Sequence, residues 1–274
     1  MISIPVAVNN ATFQWQVDLW WWNHQQTYGR GAADKACLIV IDKNYSHEPD
    51  AATDWLAQVP HVLCTGTWLA PAHRDEPWLD LPLNIQLGLR QVIDFFGDDD
   101  VLEVNDCDLF HFRPHPAIEV GDDMLLTCDL YERWHLNSLT SNRGYIEPYF
   151  ENGGGYYNGG FVPIIGKART FKRILYEWEA VHRDLLARPY ETSIHWWSGM
   201  FALQAACEKA RVTMVGRDWC YIPGHNPLQD SHYIGHYSVD RYFPKGNFPH
   251  IDASRFPSND YYHRLRAWFE SSPY

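Results

Sequence analysis

Two aspartates placed two residues apart carry the clearest chemical signal in the sequence. Asp106 and Asp108 follow the apolar run Val101–Val104 at its carboxyl end. In an extended chain the side chains at positions i and i+2 point to the same side, so both carboxylates can approach one cation. Oxygen ligands of this kind suit Mg²⁺ or Mn²⁺, and such an ion stabilises negative charge on a phosphate leaving group. The pair therefore predicts a divalent-metal site.

Two histidines close to this pair leave a second interpretation open. A metal hydrolase acting on phosphoesters or sugars could combine the two aspartates with His111 and His115. These histidines are four residues apart, but Pro114 breaks the helix that would align them, so the spacing rule of helical zinc sites does not apply. Such a hydrolase would turn over its substrate without a nucleotide.

A third interpretation comes from the aromatic residues, which include 13 Trp and 16 Tyr and make up 15% of the chain. Rings with a polar edge stack on the apolar faces of sugars and bases, although the same rings can simply fill a core. A noncatalytic carbohydrate-binding protein, in which the carboxylates hold a structural calcium ion, fits this composition. It would bind glycans without forming a product.

The order of apolar runs places the aspartates in an α/β fold. Strand-like and helix-like segments alternate through the first 112 residues, which predicts a mostly parallel sheet. Sheets of this kind bind ligands beyond the carboxyl ends of their strands. We expect Ala7, Asn9 and Asn10, at the end of the first strand, to contact a nucleotide. The predicted strands are 2–8, 37–42, 61–64 and 101–104, and the predicted helices are 13–28, 51–58 and 82–96.

Beyond residue 112 the pattern weakens. Pro114 and Pro116 exclude a helix, and a glycine-rich stretch at 152–160 interrupts the chain again. An aromatic, proline-rich segment at 216–274 has few periodic stretches, and we expect it to wrap across the ligand face of the sheet. The remaining predicted elements are helices at 167–186 and 198–211 and a strand at 212–215.

Charge and cysteine content narrow the class of protein further. The formal net charge is −12, from 22 Lys and Arg against 34 Asp and Glu, which argues against a nucleic-acid partner. A small phosphate-bearing ligand is compatible with this charge because a bound cation supplies positive charge locally. The six cysteines show no paired spacing, and no apolar run is long enough to span a bilayer. We expect a cytoplasmic protein with reduced cysteines and no transmembrane segment.

The order of its motifs resembles that of the GT-A glycosyltransferases, in particular the glycogenin and galactosyltransferase-like group called family 8. In that group an amphipathic helix precedes a strand that ends in Asp-x-Asp, as in 82–108. A Phe/Tyr-Asn-x-Gly segment precedes a later strand, similar to 156–163, and an apolar-x-His-aromatic segment lies near the C-terminus, similar to 233–237. The resemblance covers most of residues 1–250 as an order of weak motifs.

The resemblance implies a fold and a reaction. The fold is one GT-A (Rossmann-like) α/β domain over 1–274 with a mostly parallel central sheet and an irregular, aromatic-rich C-terminal segment. Residues 1–112 would form the nucleotide-binding half, 113–215 the acceptor and sugar half, and 216–274 the C-terminal wrap. The reaction is transfer of a hexose, with retention, from a nucleotide-sugar to a glycan or other hydroxyl acceptor, dependent on Mn²⁺ or Mg²⁺. A UDP-hexose is the expected donor.

The resemblance also implies roles for individual residues. Asp106 would contact the ribose and the metal, and Asp108 and His236 would ligate the metal. A close approach of backbone to the sugar would be possible at the glycines of the sugar-pocket motif. The residues implied to line that pocket are Asn158, Gly159 and Gly160.

The sequence departs from the group's pattern at two points. The acidic residue and glutamine that open the helix after the sugar-pocket motif are missing, and the segment that begins at Glu191 stands in their place. Glu191 and His195 are candidate catalytic bases for an inverting reaction, and they could equally cap a helix. A Lys-Pro-Trp-like triplet after the histidine is also missing, which leaves Arg241 or Lys245 to neutralise the diphosphate. Of these two, Lys245 is the preferred nucleotide contact.

Overall fold

The computed structural model describes residues 1–8, 11–41, 56, 59–64, 83–128, 147–150, 161–187, 192–222, 226–237, 248 and 251–271. Five α-helices and ten strands lie within these ranges. The helices are α1 (Ala11–Tyr28), α2 (Asn84–Val92), α3 (Ala168–Ala187), α4 (Thr192–Ala210) and α5 (Asn259–Ser271). The strands are β1 (Ile2–Val8), β2 (Leu38–Ile41), β3 (His61–Cys64), β4 (Val101–Asp106), β5 (Leu109–His111), β6 (Met124–Cys128), β7 (Phe161–Lys167), β8 (Thr213–Arg217), β9 (Cys220–Tyr221) and β10 (Ile234–His236).

Seven of these strands form a central sheet in the order β3-β2-β1-β4-β7-β6-β8. Strands β3, β2, β1 and β4 run parallel to one another, and β6 runs parallel to β8. Strand β7 is antiparallel to both β4 and β6. The predicted α/β fold with a mostly parallel sheet is therefore confirmed.

Helices cover both faces of this sheet, which explains why its strands are continuous apolar runs. Successive side chains of a strand point to opposite faces. On one face, Val104 of β4 packs in the same cluster as Leu89 of α2 and Phe171 of α3. On the other face, Val40 of β2 packs with Trp20 of α1. The central sheet thus lies between α1 on one side and α2 and α3 on the other.

The predicted elements agree with the structure where the apolar pattern is long. Strands 2–8 and 61–64 have the predicted bounds. The ends of helices α1 and α3 lie within two residues of their predicted positions. Helix α4 begins at Thr192, six residues before its predicted start. The helix predicted at 51–58 falls almost entirely outside the described residues. None of the described helices is long and apolar enough to cross a membrane.

A second, smaller sheet has the strand order β5-β10-β9. Strand β10 pairs antiparallel with β5, so that His236 lies opposite Leu109 and Gly235 opposite Phe110. The sequence did not predict these strands, because two or three residues are too few to show a period. This sheet begins at the turn that follows β4, and it brings the C-terminal part of the chain to the end of the central sheet.

The C-terminal segment is more regular than its sequence suggests. It contributes β9, β10 and the helix α5. Leu265 and Phe269 of α5 pack with Trp15 of α1 and with Phe110 of β5 in one apolar cluster. Described aromatic residues of this segment, among them Phe248, Phe256 and Phe269, therefore form a core with α1 and the small sheet.

We expect Gly235→Ala to destabilise the protein by about 1–3 kcal/mol, the usual cost of overpacking. A Cβ atom at Gly235 would lie 2.5–3.0 Å from ring carbons of Phe110. That ring is buried, so either Phe110 or β10 must move. Urea unfolding would measure the loss.

The matched control for this change is Gly121→Ala. A Cβ atom at Gly121 would come no closer than 3.8 Å to Met124 Cβ, which is ordinary contact. We expect its unfolding midpoint to stay close to that of the native chain. Equal midpoints for the two variants would contradict the close approach of β10 to Phe110.

Candidate metal centre

Asp106, Asp108 and His236 come together where the two sheets meet. Asp106 is the last residue of β4, Asp108 lies in the turn before β5, and His236 is the last residue of β10. Their ligand atoms all lie within 4.8 Å of one another. His236 Nε2 and Asp108 Oδ1 are 3.0 Å apart. The structure thus brings together the three residues that the sequence assigned to a metal.

The two carboxylates approach each other through a turn and not along an extended strand. Cys107 and Asp108 form a turn between β4 and β5. The prediction that Asp106 and Asp108 lie close together agrees with the structure, but strand alternation is not the reason for it. This turn carries the chain from the central sheet to the small sheet. Both aspartates therefore lie at the carboxyl end of β4, where open α/β sheets bind ligands.

His236 reaches the aspartates because β10 pairs with β5. Its backbone lies opposite Leu109, the first residue after the turn. The N–H of Tyr237 donates to the carbonyl oxygen of Asp108 at 3.2 Å. The histidine is buried, whereas the Asp108 side chain keeps 17% of its surface exposed. The cluster is therefore held firmly on the β10 side and stays open to solvent at the aspartates.

Repulsion between the carboxylates shapes the electrostatics of this cluster. Burial and the neighbouring charge of Asp108 raise the pKa of Asp106 from 3.8 to about 6, and His236 opposes part of that rise. Burial by itself would lower the pKa of His236, but the charges of Asp108 and Asp106 raise it above its ordinary 6.5 overall. Positive charge is therefore favoured at this position, whether a proton or a cation supplies it.

The ligand set fits a divalent cation. Oδ1 of Asp108 is buried and makes no hydrogen bond of good geometry with the described residues. Two carboxylates and one imidazole offer three ligand atoms, and such a set leaves other coordination positions for a substrate or water. An ion at this position would relieve the repulsion that raises the pKa of Asp106.

Residues of α1 that the sequence did not single out hold the turn and β5 in place. The Cys107 thiol donates to Gln16 Oε1 at 3.2 Å. Asn23 grips His111 with both ends of its amide, since Oδ1 accepts from the His111 N–H at 2.8 Å and Nδ2 donates to its carbonyl at 3.1 Å. In the sequence, Asn23 directly follows three consecutive tryptophans. A polar residue at such an apolar position is the feature by which its structural role could have been predicted.

Only two of the other predicted site residues, Ala7 and His195, lie within the described part of the chain. Ala7 lies in β1 with its side chain buried, on the α1 side of the sheet. His195 lies within α4, and its side chain is outside the described part of the chain. The remaining predicted contacts lie outside the described residues altogether: Asn9, Asn10, Asn158, Gly159, Gly160, Glu191 and Lys245.

The histidines of the hydrolase interpretation do not join the two aspartates. His111 and His115 form a separate cluster with Glu103. The side chains of Glu103 and Asp106 leave β4 at odd and even positions, so they point to opposite faces of the sheet. The four-residue ligand set that this interpretation requires is therefore not assembled in the described structure.

We expect Asp106→Asn to stabilise the metal-free protein near neutral pH by roughly 1–2 kcal/mol. Because the pKa of Asp106 is raised in the folded state, folding is favoured while this carboxyl group is protonated. That stabilisation is complete at low pH and is lost as the pH rises from about 4 through about 6. Asparagine keeps the shape and removes the charge. The expected gain is smaller than the full pKa shift would give, because the Asp106 side chain is partly exposed to solvent.

Urea unfolding in EDTA, near pH 7 and near pH 4, would measure this gain. We expect the gain at the higher pH only. Asp94→Asn, at an exposed position, is the control and should show little difference at either pH. A native chain as stable as Asp106→Asn near neutral pH would be evidence against carboxylate repulsion.

Comparison with known proteins was made by sequence and by structure. No protein-family model matches the chain, and no curated protein matches it. Among solved structures, an active-site mutant of LgtC aligns with a TM-score of 0.51 and 11% identity over 99% of this chain and 98% of that one.

Two further solved structures align less closely. The galactosyltransferase LgtC in complex with donor and acceptor sugar analogues aligns with a TM-score of 0.49 and 12% identity, covering 99% of this chain and 98% of that chain. The glycosyltransferase GlyE of Streptococcus pneumoniae TIGR4 aligns with a TM-score of 0.44 and 10% identity, covering 97% of this chain and 60% of that chain. At such low identity the similarity to the LgtC mutant bears on the fold alone. The chain has the GT-A fold that the sequence predicted.

Proposed function

We propose that this protein is a metal-dependent glycosyltransferase that moves a hexose from a nucleotide-sugar, with UDP as the nucleotide, to a hydroxyl acceptor. The observation that carries the proposal is the convergence of Asp106, Asp108 and His236 at the carboxyl end of β4. In a GT-A fold this is the edge at which ligands of an open α/β sheet bind. LgtC, whose fold the chain shares, is described as a galactosyltransferase, which supports the same class of reaction.

The roles of the three residues follow from their positions. A divalent ion held here would stabilise the negative charge that develops on the diphosphate as the sugar leaves. Asp106 and Asp108 hold their carboxylates side by side because the turn fixes them. His236 supplies a third ligand atom on a strand that cannot shift without breaking its pairing with β5. The chain's contribution is therefore a preorganised set of ligands.

We propose retention of the anomeric configuration. In a retaining transfer the acceptor hydroxyl attacks from the side of the leaving group, so the departing phosphate oxygen can take the acceptor's proton. No strong protein base is then needed. In an inverting transfer a base must lie within about 3 Å of the acceptor hydroxyl, and Glu191 and His195 are our candidates for that case. Determining the anomeric configuration of the first product by NMR would distinguish the two courses.

The remaining roles extend this proposal to the rest of the chain. We assign nucleotide contacts to Ala7, Asn9 and Asn10 and a diphosphate contact to Lys245. Sugar contacts are assigned to the segment 158–160. We further propose that residues 1–274 act as one catalytic domain, with the nucleotide bound by 1–112 and the acceptor by 113–215.

A thermal-shift panel of UDP-, GDP- and CMP-sugars, each with Mn²⁺, Mg²⁺ or EDTA, tests the donor class. We expect a UDP-sugar to raise the melting temperature only when a divalent ion is present. A ligand at 100 times its Kd stabilises the folded state by about 2.7 kcal/mol, which corresponds to a rise of roughly 5 °C or more for a chain of this size. No rise with any nucleotide-sugar under any metal condition would contradict the proposal.

Substitution of Asp108 links this binding to the candidate site. We expect Asp108→Asn to abolish the metal-dependent rise and to lower transfer activity by a factor of roughly 100 or more, because it removes a charged ligand of the ion. Asp94→Asn changes an exposed carboxylate and should keep both properties. Nucleotide-sugar hydrolysis and transfer assays on the three chains would measure the difference. A fully active Asp108→Asn variant would exclude this residue as a metal ligand.

A further inference from the structure

A second cluster of potential metal ligands lies inside the protein, apart from the candidate donor site. It consists of Glu103 in β4, His111 at the end of β5 and His115 in the segment that follows β5. The ligand atoms of these residues also lie within 4.8 Å of one another. Their side chains are 0%, 0% and 1% exposed, so the cluster is closed to solvent.

The distances in this cluster match those between ligands of one metal ion. His111 Nε2 lies 3.3 Å from Glu103 Oε1, and His115 Nε2 lies 3.0 Å from Glu103 Oε2. Ligands bound at about 2.0–2.1 Å from a tetrahedral zinc ion lie about 3.3 Å from each other. Each imidazole therefore lies next to one oxygen of the Glu103 carboxylate, at the distance expected between two ligands of the same ion.

The directions of these contacts also favour an ion. Within the described residues, neither ring nitrogen of His111 or His115 makes a hydrogen bond of good geometry, and neither does Glu103 Oε2. Ligands of a metal point towards the ion between them and not towards each other, so contacts that are short but off-axis are expected. Five buried polar atoms without hydrogen bonds would otherwise be costly.

The surroundings orient the carboxylate in the way that metal ligands are usually oriented. Asn105 Nδ2 donates to Glu103 Oε1 at 2.5 Å, and Ser3 Oγ donates to the same oxygen at 3.3 Å. Hydrogen bonds of this kind from a second layer of residues fix a ligand and tune its affinity. They hold Oε1, whereas Oε2 makes no hydrogen bond of good geometry with the described residues.

The two histidines are held independently of the carboxylate. Asn23 of α1 fixes the backbone of His111, as described above. The ring of His115 packs against Trp219, with centroids 5.9 Å apart, and against Tyr233, with centroids 5.7 Å apart. The ligands therefore come from three separately anchored segments, and an aromatic wall excludes solvent.

We propose that Glu103, His111 and His115 bind a structural Zn²⁺ ion that ties β4 to β5 and to the segment after β5. Two imidazoles and a carboxylate suit zinc, and a carboxylate bound through both of its oxygens would complete four ligand atoms. A site closed to solvent is typical of a structural ion. The ion would enter during folding, since a closed site of this kind is not formed in the unfolded chain. The proposal does not rest on the nucleotide-sugar reaction, because it uses none of the three residues assigned to that site. A metal-free pair between Glu103 and one protonated histidine is the rival explanation.

Metal analysis of the untagged chain, produced with zinc in the medium and dialysed against EDTA, tests the proposal. We expect inductively coupled plasma mass spectrometry to find close to one zinc ion per chain. His115→Asn should weaken zinc binding more than 100-fold, because even changes outside the ligand set cost about 10–100-fold. Asp108→Asn should keep its zinc, since it alters the other cluster.

His232→Asn is the matched control for a buried histidine beside a carboxylate. His232 Nε2 lies 2.6 Å from Asp218 Oδ1, and its side chain is buried to the same degree as that of His115. We expect this variant to keep its zinc. Loss of zinc in Asp108→Asn but not in His115→Asn would place the ion in the other cluster and overturn the proposal.

A measurement on the native chain covers the case in which His115→Asn does not fold. The chain is unfolded with a strong chelator, then refolded with Co²⁺ in place of zinc. We expect the visible absorption of tetrahedral cobalt, its loss on addition of Zn²⁺, and a lower melting temperature for the chain refolded without metal. No cobalt absorption, less than about a tenth of an equivalent of zinc and an unchanged melting temperature would together favour the metal-free pair.

Discussion

The pairing of β5 with β10 is the interaction on which the candidate site depends. It is only three residues long, yet it brings His236 beside Asp108 from a distant part of the sequence. The Phe110 ring lies so close to Gly235 that a Cβ atom there would collide with it. The candidate site therefore depends on the small sheet, which packs in one aromatic core with α1 and α5.

Strand β4 carries two acidic residues in different surroundings. Glu103 faces α1 and lies in a closed cluster with two histidines, whereas Asp106 lies at the strand end, beside a partly exposed aspartate. The histidines hold the pKa of Glu103 well below its ordinary value despite burial, while burial and Asp108 raise that of Asp106. The same strand therefore carries one carboxylate in a closed cluster with two imidazoles and another beside a second carboxylate at the open strand end. This contrast distinguishes the proposed structural ion at Glu103 from the proposed substrate-linked ion at Asp106 and Asp108.

The aromatic residues fill the core more than they line a surface in the described part of the chain. Trp15, Trp20 and Trp21 of α1 are at most 8% exposed, and no tryptophan is among the large exposed hydrophobic residues there. Residues 15–24 of helix α1 are largely buried because the central sheet covers one side and α5 with the small sheet covers another. Trp22, for example, packs against Trp268 of α5 with ring centroids 5.4 Å apart. An amphipathic pattern is not to be expected in a helix enclosed in this way.

The sequence by itself determined the parallel strands, the long helices and the position of the two aspartates at a strand end, because long runs of apolar residues reveal their period locally. It could not determine how Asp108 meets His236, since β5 and β10 are too short to show a pattern and their pairing joins distant segments. Only the tertiary structure decided the partners of His111 and His115. The proline between them excludes a helix, and the bent, irregular segment that results places both beside Glu103, which no local spacing rule anticipates.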